Sequence, residues 1–181
     1  MTIILAGVDE LIGNKATPAS TPAAATEAVL SGSQIVVPGP LKVGGRFRWK
    51  VKLTKTAAGT GNSVIKVKTN TTQTVATGTT GGAATAVTLT FPTAETAAVG
   101  SIIMDIEAVV QVVDPTAGVM FAQLLGYSTA TAATGFSNQQ VAAVGTSLVT
   151  DGTIQSVGLT ITSGAADAVT VDFVSAAYVA P

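Results

Sequence analysis

Asp105 and Glu107 are the residues of this 181-residue chain whose type and spacing come nearest to a reaction. Two carboxyl groups can run glycoside hydrolysis without His, one as acid and the other as base or nucleophile. Two apart on a strand, they share a face with Cα atoms about 6.8 Å apart, a separation that does not forbid the chemistry. A hydrolytic cleft, however, draws its acids from different loops and lines itself with aromatics. Here there are one Trp, two Tyr and five Phe, most of them inside strand patterns. Ser and Thr are plentiful, yet a hydroxyl nucleophile needs an activating base. His is absent, leaving only a Lys for that role. Gly59-Thr60-Gly61-Asn62-Ser63 has the glycines of a phosphate loop but neither its Lys-Ser/Thr ending nor a following helix, so it reads as a hairpin turn.

Metal and covalent chemistry are equally thin. With neither Cys nor His, the chain lacks thiolate ligands, cysteine nucleophiles and the commonest metal ligand. Asp114 and Asp151 fall in loops and could offer oxygen to Ca²⁺, but no dense acidic loop surrounds them. Asn70-Thr71-Thr72 matches a glycosylation acceptor, discounted because the opening residues lack the basic leader and apolar run of a secretory signal. The expectation is a protein with no catalytic residue, no metal site and no cofactor.

The charge is more informative. Eight of nine cations lie between Lys42 and Lys68, and no acid lies between Glu27 and Glu95. After Lys68 there are seven acids and no base, so a net charge of −1 hides two unlike halves. Only 10% of residues are charged, where about 25% is ordinary, and mean hydropathy is +0.53. No apolar run reaches the roughly 18 residues that span a bilayer, so no membrane is expected. The apolar excess instead suits surface buried against other protein chains.

Strands must position these groups. Arg46-Phe47-Arg48-Trp49-Lys50-Val51-Lys52-Leu53 alternates charge and apolar bulk, the period of a strand with one wet and one buried face. Similar patterns predict strands over 28–37 (interrupted at Ser31-Gly32-Ser33, a bulge site), 46–54, 63–69, 84–91, 101–113, 119–127, 153–162 and 168–178. Residues 70–83 and 128–150 read as Thr/Gly- and Ala/Thr/Gly-rich loops. Residues 1–25 read as an arm carrying a Pro/Thr/Ala linker, and 26–181 as one domain. The fold expected is all-β: an antiparallel, jelly-roll-like β-sandwich of about eight strands with an extended N-terminal arm.

The order of a Pro/Gly turn, Gly-Gly-Arg-Phe-Arg-Trp-Lys-Val-Lys-Leu (44–53), a Gly-Thr-Gly loop and a second basic strand resembles a known group. Met-Asp-Ile-Glu-Ala-Val-Val (104–110), Val-Gly-Leu-Thr-Ile-Thr (157–162) and Ala-Asp-Ala-Val-Thr-Val-Asp-Phe (166–173) complete the pattern. Over about residues 27–179 it is similar to the jelly-roll domains of tailed-bacteriophage virion proteins, both capsid decoration proteins and head or tail fibres. That resemblance implies a non-enzymatic, trimeric protein on the outer surface of a phage particle, with the major capsid protein or another virion protein as partner.

Within that reading the candidate partner-binding residues are Arg46, Arg48, Lys50 and Lys52, with Lys66 and Lys68 added if the next strand is a hairpin partner. The competing reading pairs these cations across strands with Asp105, Glu107 and Asp172, at about 0.2–1 kcal/mol per pair. Nucleic acid is disfavoured, because Phe47 and Trp49 point away from the cations and cannot interleave with them for stacking. Ile3, Ile4, Leu5, Leu11 and Ile12 are the apolar positions through which the arm would latch onto a neighbour. The expected role is a decoration or cement protein that stabilises a phage head. The alternative is a fibre tip that binds a host-surface glycan through loops 70–83 and 128–150, where Tyr127 and Phe136 are the available aromatics.

Overall fold

The computed structural model describes residues 19–20, 26–37, 39–55, 61–73, 83–92, 99–129, 137–148, 153–164 and 169–181. The first strands are β1 (Ala19–Ser20), β2 (Glu27–Val29), β3 (Ile35–Val36), β4 (Arg46–Lys55), β5 (Val64–Asn70) and β6 (Ala84–Thr90). They are followed by β7 (Gly100–Val112), β8 (Gly118–Ser128), β9 (Ser137–Leu148), β10 (Ser156–Thr162) and β11 (Val169–Val179). There is no helix among the described residues, hence none long and apolar enough to cross a membrane. Of the expected arm, only Ala19 and Ser20 are described, as an edge strand pairing with Val171 and Thr170 of the same chain. The arm positions Ile3, Ile4, Leu5, Leu11 and Ile12 lie outside the described residues.

Two antiparallel sheets form a β-sandwich. One runs β1-β11-β4-β7-β8-β9; the other runs β2-β10-β5-β6, with β3 also on β10. The jelly-roll-like element is a nested wrap. β4 pairs with β11 in the first sheet, and the strands just inside them in sequence, β5 and β10, pair in the second. Consecutive strands form the β5–β6 hairpin and the β7-β8-β9 meander, and β4 joins that meander by pairing with β7.

Alternation places the core. Phe47, Trp49, Val51 and Leu53 of β4 point inward and are at most 1% exposed, as are Ile102 and Met104 of β7 and Leu159 and Ile161 of β10. Phe47 stacks near-parallel on Trp49 at 6.1 Å and meets Tyr178, its register partner on β11, at 4.9 Å. Burial pushes the Tyr178 hydroxyl pKa up. The alternation runs to the end of β4, so Lys55 falls on the core side and is fully buried.

The interruption at 31–33 is a built joint between β2 and β3. Gly32 takes the left-handed conformation, φ 84°, which a Cβ disfavours. The Ser33 hydroxyl then fills the gap, accepting from the Leu159 amide at 2.9 Å and donating to the Leu159 carbonyl at 3.2 Å. The Ser33 carbonyl accepts from the Trp49 indole at 2.7 Å, tying one sheet to the other.

Two expectations are corrected. Residues 137–148, read as part of a loop, are the long edge strand β9. Its inward positions are Gln139, Val141, Ala143 and Gly145, a series with little apolar bulk. Small residues are needed because β6 closes on this edge: a Cβ at Gly145 would sit 1.5 Å from the Ala86 carbonyl oxygen. The second correction concerns β5. It is no hairpin partner of β4, and its cations lie on the opposite side of the sandwich from those of β4.

Candidate interaction face

The outward side of the first sheet carries the sequence-predicted cations. β4 contributes Arg46, Arg48, Lys50 and Lys52 as a column, each exposed. Register places Val109, Glu107, Asp105 and Ile103 of β7 beside them in turn. β8 follows with Phe121, Gln123, Leu125 and Tyr127, and β11 flanks the other side with Val179, Ala177, Ser175 and Phe173. A bulge between Val171 and Phe173 turns both Asp172 and Phe173 toward this face.

The cations meet acids within the sheet. Glu107 lies 3.7 Å from both Arg46 and Arg48, and Asp172 lies 3.5 Å from Lys52 while accepting a 2.7 Å hydrogen bond from Thr54. These pairs are half-exposed and salt-screened, so each contributes well under about 1 kcal/mol. They favour register more than they stabilise. Lys50 and Asp105 are register partners too, yet neither takes part in an ion pair among the described residues. A depression of about 210 Å³ opens between them, walled by Arg48, Glu107, Gln123 and Leu125. For a two-carboxylate reaction this is a poor arrangement. Glu107 is held between two guanidinium groups, and the depression is an open patch of sheet surface.

Apolar bulk on this face was invisible as a group in the sequence. Ile103, Leu125, Tyr127, Val144 and Phe173 are 40–56% exposed and come from four different strands. Each is an ordinary outward position of its own strand, and only the register gathers them.

Lys66 and Lys68 belong to a separate site on the outer side of the second sheet. Both approach Glu27 of β2, Lys66 at 3.6 Å and Lys68 at 3.9 Å, and Thr160 donates to the same carboxylate at 2.7 Å. Lys68 is 2% exposed and donates to Thr85 at 3.0 Å. Burial draws its pKa below the usual lysine value, Glu27 opposes that, and neighbouring Lys66 adds to it. Sequence reasoning missed Glu27 as a partner, since nothing local links it to residues 66–68. Ser63-Val64-Ile65-Lys66 also has Ser-x-x-Lys spacing, but an odd separation on extended chain puts the two side chains on opposite faces.

The remaining candidates resolve simply. The Asp114 carboxylate accepts from the Thr116 amide and hydroxyl and the Ala117 amide, capping its own turn, and these bonds lower its pKa. Asn70 is 2% exposed, closed to a glycosylating enzyme. Phe136 and Asp151 lie outside the described residues, and Tyr127 stands on the sheet face rather than in a loop. Among the described residues no three or more acids gather as metal ligands would. No protein-family model matches the sequence, and no curated protein is detectably similar to it.

Proposed function

We propose that this chain is a non-enzymatic structural protein of a tailed-phage particle, a decoration or cement protein on the outer surface of the head. What carries the reading is the outward face of the first sheet, where apolar side chains about half exposed surround a ladder of weak ion pairs. Apolar area of this kind gains free energy when another chain covers it. Charges that are only loosely paired can be re-paired at modest cost. The mechanism is mechanical: many such contacts, repeated over a shell, add up to stability that no single contact supplies. Partners are further copies of the chain and the major capsid protein.

The test uses particles lacking this protein. Purified protein should bind them at saturating copy number and raise their resistance to heat. Arg48→Glu with Lys50→Glu should weaken binding, most of all at low ionic strength. Failure to bind such particles, combined with a positive glycan-array signal for the purified chain, would favour the fibre-tip reading instead.

A further inference from the structure

We infer that the outward face of the first sheet is a self-association surface on which a second copy of this chain sits face to face, related by a two-fold axis. The axis lies in the plane of contact, parallel to the strands, between β4 and β7. This goes beyond the particle role and concerns the purified chain alone.

The charge pattern selects the axis. β4 presents a column of cations, and neighbouring β7 presents the acids Asp105 and Glu107 at the same heights as Lys50 and Arg48. Rotation about an axis parallel to the strands lays β4 of one copy over β7 of the other without shifting height. Lys50 then meets Asp105 of the second copy, and Arg48 meets its Glu107, twice over. An axis running across the strands would instead stack β4 on β4, cation on cation, which is repulsive. The selected arrangement also gives Lys50 and Asp105 the ion pair that neither makes among the described residues.

The same rotation matches the apolar positions. β8 falls over β11 of the second copy, setting Tyr127 against Phe173 and Phe121 against Val179. Twisted sheets cross at about 30° when they pack face to face, so these matches hold best near the axis. The area suits a weak, reversible pair: four matched strands at about 4.8 Å and seven residues at about 3.4 Å give roughly 19 by 24 Å, so two copies bury about 900 Å², in the size range of transient interfaces. A contact of this kind closes on itself, giving pairs and not the three-fold ring that the resemblance implies.

The experiment is trans-complementation read by analytical ultracentrifugation. The wild-type chain should show a concentration-dependent monomer–dimer equilibrium. Lys50→Asp alone and Asp105→Lys alone should each weaken dimerisation at least tenfold, because each puts two like-charge contacts into the pair. An equimolar mixture of the two variants should form a heterodimer of near wild-type affinity, since both cross-contacts then join opposite charges. Pairing inside one chain cannot produce that rescue. As a second readout, Tyr127→Cys mixed with Phe173→Cys should yield an intermolecular disulfide on mild oxidation, free of competition in a chain without Cys.

A wild-type chain that is monomeric near 100 μM, well above the micromolar range of weak specific complexes, overturns the inference. So does a three-fold oligomer, or a mixture that shows no rescue and no crosslink. Dimerisation without particle binding would uphold this inference and sink the particle role, so the two fail separately.

Discussion

The Trp49 indole donates to the Ser33 carbonyl across the sandwich at 2.7 Å, joining the strand with the outward cations to the joint that organises the second sheet. Both groups are buried, so neither can turn to water if the other is removed. Trp49→Phe keeps an aromatic ring but strands that carbonyl. The expected loss is about 1–3 kcal/mol, or roughly 2–4 °C in Tm per kcal/mol for a chain of this size. Thermal unfolding followed by circular dichroism measures it, and an unchanged Tm would show that the bond does not hold the sheets together.

Gly145→Ala should be among the most damaging single-methyl changes available. The added carbon would overlap the backbone at Ala86, which cannot move aside as a side-chain tip could. A loss of about 2 kcal/mol or more is expected, with weaker hydrogen-exchange protection in β6 and β9. Gly39→Ala, with nothing within 4 Å of its added carbon, is the control and should be nearly silent.

Glu27→Gln removes the carboxylate that Lys66 and Lys68 both approach. The site is less exposed than a surface pair but not fully dry, so the cost should be about 2–3 kcal/mol, between the exposed and buried limits. Adding Lys68→Met to that variant should recover at least half of the loss in denaturant unfolding, by removing a buried charge. Because burial lowers the folded-state pKa of Lys68, its protonation favours the unfolded chain. That penalty is full below the folded pKa and fades as pH rises toward the ordinary value of 10.5.

Asp114 gives the opposite pH dependence. Its carboxylate is stabilised by hydrogen bonds from Thr116 and Ala117, so its folded pKa lies below the ordinary 3.8. Its contribution is therefore present above that value and disappears as pH falls through the folded pKa. Asp114→Ala should lower Tm at pH 7 by a few degrees or less. The gap between variant and wild type should close progressively in acid, and a gap constant down to pH 2 would contradict this.

Alternation was legible because period two is a local property. Arg46 through Leu53 declared which side chains face water, and Asp105 and Glu107 declared the same for their strand. Glycine and Ser at 31–33 marked the β2–β3 joint before its hydrogen bonds were visible. β9 escaped because its inward positions are Gln139, Val141, Ala143 and Gly145, small or polar where β6 approaches, so packing stripped the strand of the pattern that reveals strands.

By itself the sequence determined the class of fold, the inward and outward side of most strands, and the separation of cations from acids. A polypeptide's pleat dictates those through neighbours one and two residues away. Only the tertiary structure decided which strands became neighbours. It put β5 in the other sheet, gave Lys66 and Lys68 to Glu27, and set the acids of β7 beside the cations of β4. Such pairings join residues tens of positions apart, and they are chosen by how the whole core closes rather than by any local preference.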